Sequence, residues 1–243
     1  MVNYSLHSMF SELDISFNGR KVNNGTNYPY RSIIEAELNY GSDAKKSHLS
    51  AAHYYKDQAG KMDSAGNTGL ITRQMMVANS KPVTLYGRLH GDVLNMSRLV
   101  KDDVNISFKL TRSKDLFCLI SDEKSSYELH ILNAKLVVRK VRINHSILRA
   151  HALAIEKHPA QYPISNVDVV THTLTRGNME VAFDNICPTA LPKRVVIGFV
   201  DSDSFSGAYS KNPYNFQHYN ITEISLAVDN NHVAYSPLTV DFT

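Results

Sequence analysis

Eleven histidines in 243 residues raise metal and acid–base chemistry first, because imidazole ligates metals and titrates near neutral pH. Both roles need spacing as well as residue type. None of H-E-x-x-H, H-x-x-x-H or C-x-x-C occurs, and His145 and His151, six apart, do not share a helical face. Asp201-Ser202-Asp203 with Gly207 has the opening of a calcium loop, but Pro213 and Tyr214 stand where the bidentate acid should close it. That stretch is expected to be a strand end passing into a polar turn. No G-x-S-x-G elbow, phosphate-binding loop or dinucleotide fingerprint is present, and Gly25, Gly87 and Gly91 stand alone. Cys118 and Cys187 are too few for a disulfide framework and lack activating neighbours, so both are expected to be reduced, buried thiols. The pair on which an enzyme reading would rest is His172 with Asp168. The sequence therefore predicts no catalytic, cofactor-binding or metal residues, no cofactor, and a protein that is not an enzyme.

Net charge makes no case for a second class. With 26 Lys and Arg against 23 Asp and Glu, the excess is too small to carry a nucleic-acid reading, and no specific nucleic-acid motif is present. Arg139, Lys140 and Arg142, followed by Lys211, Tyr214, Phe216 and Tyr219, are the residues such a reading would use. The expectation is instead that the tyrosines pack at a sheet edge while the basic tips stay in water. Thirteen Tyr and nine Phe with no Trp suit polar-tipped surfaces for subunit contacts. The N-terminus lacks a basic and then apolar leader, and no run approaches the roughly 18 apolar residues of a membrane span. The chain is read as soluble and not secreted, so the N-x-S/T triplets at Asn24, Asn95, Asn105, Asn144 and Asn220 carry no expectation of glycosylation.

The elements that would position these residues alternate between two kinds. Leu13, Ile15 and Phe17 alternate with polar neighbours and run into Asn18-Gly19, the signature of a tight hairpin. Tyr28 to Met76 turns helical, with Pro29 in a first turn, Ile33, Ile34 and Leu38 on one side and Gly41 as a stop. A second helix is expected from Ser42 or Asp43 to about Tyr55, a loop over 60–69, and a short helix from Leu70 to about Ala78 with Ile71, Met75 and Ala78 on one face. Strand chemistry returns at 83–89, 105–111, 116–121 and 126–144. In the last of these, basic residues on both faces predict that one end emerges into solvent. Ser146 to Lys157 is expected to be a helix with Ser146 as its N-cap and His158-Pro159 as its end. A second group of strands is expected over 166–177, 178–185, 193–203 and 220–235.

Several peptides are specific enough to suggest a family. HSMFSELDISFNGRKV, TNYPYRSIIEAELNYGSDAKKSHL, YGRLHGDV, FKLTRSKDLFCLI and LPKRVVIGFVDSDSFSGAYSKNPYNFQHYN resemble, in order and over almost the whole chain, the major capsid protein of Polinton (Maverick) virus-like elements and adintoviruses. The resemblance implies a mainly β, hexon-like double jelly-roll with a helical insertion in the first roll. On this expectation 1–145 is a partial first roll with an insert at about 28–78, 146–158 a linking helix, and 159–243 a partial second roll. It further implies self-association into trimeric pseudo-hexagonal capsomers and then a capsid lattice, with penton or minor capsid proteins as possible partners. The protein would reside in the virion and be intracellular before assembly. Tyr209 to Phe216 would be a loop of the second roll with a structural or interfacial role. Family members usually extend beyond both ends of this sequence, so the chain is expected to be truncated at both. A different class, a carbohydrate-binding β-sandwich using exposed aromatics and paired carboxylates, is the alternative.

Overall fold

The structure, a computed structural model, describes residues 1–23, 25–121, 127–187, 190–228, 231–233 and 236–242. The hairpin forms where its turn chemistry requires. Asn18 and Gly19 take φ of 48° and 80°, the left-handed values a two-residue turn needs and that Gly adopts without strain. After a single helical turn, α1 (Ser5–Ser8), the strands β1 (Phe10–Phe17) and β2 (Arg20–Asn23) therefore pair antiparallel, with Phe17 opposite Arg20. On its other edge β1 takes β3 (Ile106–Arg112), from Phe17 opposite Ile106 to Phe10 opposite Arg112, giving the order β2-β1-β3. Period-two alternation turns Leu13 and Ile15 inward, where they are fully buried with Tyr28 against Leu89, Leu94 and Phe108.

α2 (Tyr28–Asn39) starts on Pro29, as the sequence predicts, and gives way to extended backbone at Tyr40. Its buried stripe is Tyr30, Ile33 and Ala36 together with Arg31 and Ser32, while Leu38 is exposed, so the apolar face lies about a turn earlier than the sequence suggests. The expected second helix breaks in two, into α3 (Ser42–Lys46) and a 3-10 turn over His48–Ala52. At the break the hydroxyls of Ser47 and Ser50 donate to the Asp43 and Ser47 carbonyls, the local bonding by which serine competes with the helix ladder. α4 (Thr68–Met76) is capped by Asn67, whose Oδ1 accepts from the Gly69 N–H, and it buries Leu70 and Arg73 while Met75 faces solvent. A short α5 (Asp115–Cys118) stands where a strand is expected. These helices and the 209–217 loop close a core of Val2, Tyr4, Tyr30, Ile33, Leu49, Tyr54, Phe117 and Tyr214, among others.

The mainly β, double jelly-roll expectation is overturned. Strands make up about 12% of the described residues and helices 28%. Beyond β3 come α6 (His145–Lys157), α7 (Ser202–Ser206) and four two-residue strands, β4 (Glu223–Ile224), β5 (Ala227–Val228), β6 (Asn231–His232) and β7 (Leu238–Thr239), in two isolated ladders. The segments 83–89, 127–143, 166–173 and 193–200, all strand-like in composition, lie in no ladder. Strand propensity measures fit to a pleated, half-buried surface, not an intrinsic backbone preference, and these segments have no such surface to lie on. Leu132, Val137 and Val170 are 82%, 75% and 53% exposed. α6 forms over nearly the predicted residues, with Asn144 rather than Ser146 as its cap, yet it buries none of its side chains.

Candidate functional site

Two constellations stand out, one a buried hydrogen-bonded network, the other open. The buried one begins with α2, whose inner face carries polar residues among apolar ones. Arg31 Nε donates to Glu35 Oε1 at 2.9 Å, one helical turn on, and its two Nη atoms meet the Asp92 carboxylate and Asn23 Oδ1. Glu35 Oε2 is 2.7 Å from His90 Nδ1, and His90 Nε2 is 3.0 Å from the Tyr4 hydroxyl. The Tyr28 oxygen accepts from the His90 N–H, so its proton is free to go to His7 Nδ1 at 2.7 Å. His7 Nε2 is buried without a partner. Alongside, the Ser5 hydroxyl lies 2.8 Å from His53 Nδ1.

Burial sets the electrostatics. It holds the His7 imidazole well below its ordinary range, with neighbouring His90 adding to the effect, and lowers His53 to about 4. Burial pushes Glu35 upward, but the His90 hydrogen bond and Arg31 outweigh it, and its carboxyl sits below the usual range. Burial likewise raises the Tyr4 and Tyr28 phenols. Glu35, His90 and Tyr4 form an acid–imidazole–phenol relay of the kind that moves protons, but His90 is 5% and Tyr4 1% exposed. A cleft of about 280 Å³ touches Glu35 and His90 from the side of Arg88 and Asn95, at the small end for a ligand site. What the arrangement does is pin α1, α2 and the 88–95 segment together.

A second buried knot ties the two ends of a long span. Arg73, fully buried, donates to Asp57 Oδ1 at 2.7 Å and to the Tyr55 and Met1 carbonyls. Asp57 Oδ2 and the Met62 carbonyl also accept from Asn212 Nδ2, while the Asp63 carboxylate accepts from the Asn212 N–H at 2.6 Å and Asn215 Nδ2 at 2.7 Å.

The residues singled out from the sequence fall on different sides of this division. Tyr214 and Asn212 of the 209–216 loop are interior, Tyr214 packing edge-on against Tyr30 and Phe117, whereas Phe216 and Tyr219 are exposed. Asp201 caps α7 rather than ending a strand. Lys211 Nζ stands 3.0 Å from Asp201 and 2.8 Å from Asp203, so an ammonium occupies the place a cation would take. Cys118 is buried, its thiol pushed up to about 12 mainly by burial, but Cys187 is exposed, contrary to expectation. His172 stacks on Phe183 at 4.4 Å while Asp168 accepts from Asn166, so the two do not partner each other. Asn24 and Ser126 lie outside the described residues. The buried network has a faint trace in the sequence, the Arg31–Glu35 pair on the inner face of a helix. Its other members come from residues up to 86 positions apart, which no local pattern joins.

The open constellation is the basic stretch Arg139, Lys140 and Arg142 leading into α6. Residues 131–160 are exposed throughout, and 127–143 borders a trough of about 3690 Å³ shared with 77–110. No helix among the described residues is long and apolar enough to cross a membrane.

Comparison with known proteins places the chain beside an uncharacterized protein of Caenorhabditis elegans, 24% identical over 247 residues, covering 99% of this chain and 57% of the relative. The chain thus spans little more than half the length of the relative it matches. No protein-family model matches the chain, and no solved structure matches it.

Proposed function

We propose that the chain is a structural subunit, a capsid protein of a virus-like particle, which works by self-association and not by catalysis. The observation that carries this reading is surface area. A monomer of 27.3 kDa folded to completion exposes about 10,900 Å² by the usual scaling, and this chain exposes 17709 Å². The excess, about 6,800 Å² on that scaling, is rich in aliphatic side chains such as Leu132, Leu136, Val137 and Val196. Obligate assemblies bury roughly 2,000–5,000 Å² per interface, half of it from each partner, so contact with two neighbouring copies covers about 2,000–5,000 Å² of this chain's excess. Unpaired strand-like segments supply the means, since their free backbone groups pair readily with another chain. The capsid-like peptides and their order along the sequence support the particular kind of assembly, a homotrimeric capsomer within a virion shell.

Light scattering behind a sizing column tests the reading. A species near three times 27.3 kDa, with amides of 127–143 and 193–200 protected from hydrogen exchange, is the expected result. A well-behaved monomer with those amides unprotected overturns it.

A further inference from the structure

Residues 129–155 contain Lys135, Arg139, Lys140, Arg142 and Arg149 and not one Asp or Glu, in a chain whose total excess of basic residues is three. The rest of the sequence is therefore slightly acidic, and the positive charge is concentrated here. Elsewhere Arg31, Arg73, Arg112, Lys21, Lys45 and Lys211 meet carboxylates. Among the described residues none of the five in 129–155 makes an ion pair, and the whole of 131–160 is exposed.

We propose that 135–149 is a contact surface for the phosphate backbone of nucleic acid, an inference that rests on the capsid reading and gives that subunit its cargo-facing side. Five exposed cations held in no ion pair are open to a polyanion, and the three arginines among them match phosphate oxygens in a bidentate fork. The stretch 129–155 has no Phe, Tyr or Trp, so bases have nothing to stack on. Binding is then electrostatic and indifferent to sequence, governed by counterion release. An anionic membrane surface is the competing polyanion, and there an interfacial helix needs Lys and Arg along its polar face as well as Trp, Phe or Leu on the other. The four cations before α6 also leave the helix with only Arg149 and Lys157 as Lys or Arg, short of the basic polar face that lying on lipid requires.

The test measures anisotropy of a labelled mixed-sequence DNA duplex against the full chain as salt rises from about 50 to 200 mM. Five phosphate contacts predict a slope of log K on log salt near −4.5, or a loss of about 500-fold across that range. Arg139→Gln/Lys140→Gln/Arg142→Gln should reduce the slope by about 2.7. Arg139→Lys/Arg142→Lys should keep it. Two results overturn the proposal: no duplex binding at low salt, or an undiminished slope in the triple glutamine variant. Capture by phosphatidylserine vesicles without duplex binding overturns it in favour of a membrane. A chain that assembles but ignores DNA refutes this surface alone, whereas a monomer that binds DNA with the stated slope refutes self-association and leaves the surface standing.

Discussion

Arg31 and Arg142 carry the same guanidinium into opposite surroundings. Around Arg31 every charge is answered: Asp92, Glu35 and Asn23 meet it directly, and His90, Tyr4, Tyr28 and His7 extend the network through three elements. Around Arg142 nothing is answered, and the aliphatic side chains before it face water. The difference teaches where the fold of one chain ends. Among the described residues, 1–121 with the 209–217 loop pair most of their buried polar groups internally, whereas 127–200 leave strand-forming side chains and cations exposed to solvent. Buried polar networks tolerate little loss, because each unpaired member sits in a low dielectric. Exposed segments tolerate much, because water replaces whatever is removed.

That contrast can be broken most forcefully at Asp92. Asp92→Ala strands the Arg31 charge in the interior and should cost about 3–5 kcal/mol in urea melts, whereas Arg142→Ala should fall within about 0.5 kcal/mol of the parent. An equal effect of the two would abolish the distinction between the regions. Acid should act next. His7 and His53 resist protonation in the folded chain, while an unfolded histidine takes up its proton near pH 6.5. Stability should therefore fall below about pH 6.5, the two histidines adding a slope that approaches about 1.4 kcal/mol per pH unit for each. His53 reaches the end of its window near pH 4. Urea melts over that range should lose up to half of the slope in His53→Gln.

Tyr28→Phe sharpens the comparison within the network by removing one oxygen that serves both His7 and the His90 N–H. It should cost about 1–3 kcal/mol by the same melts, and a neutral result would mean that water already reaches this cluster. The smallest folding effect is reserved for the open region. Val137→Asp should change subunit stability by less than about 0.5 kcal/mol yet reduce the fraction of chain found in the assembled species by light scattering.

The same division explains what could be read from sequence. Asn18-Gly19 specified the β1–β2 turn because its requirement is local, and Pro29 with the flanking pattern specified α2 for the same reason. Residues 105–111 became β3 because β1 offered them an edge. Residues 127–143 have comparable composition and no such edge, so composition alone promised a ladder that the chain does not contain. The buried network escaped for the complementary reason: His7, Tyr28, Glu35, His90 and Asp92 meet only after α1, α2 and the 88–95 segment have packed. Lys211 between Asp201 and Asp203 shows a third case, where the acidic spacing was legible but its partner, eight or more residues on, was not.

The knot that joins Asp57 and Asp63 to Asn212 and Asn215 spans about 150 residues and encloses both 127–143 and 193–200. Fastening the two ends of such a loop shrinks the volume its middle can explore. A neighbour that engages one segment then meets the other at an effective concentration on the order of millimolar. On the self-association proposed above, the two contacts would reinforce each other without touching, and a knot of aspartate and asparagine far from either would be the source of their avidity.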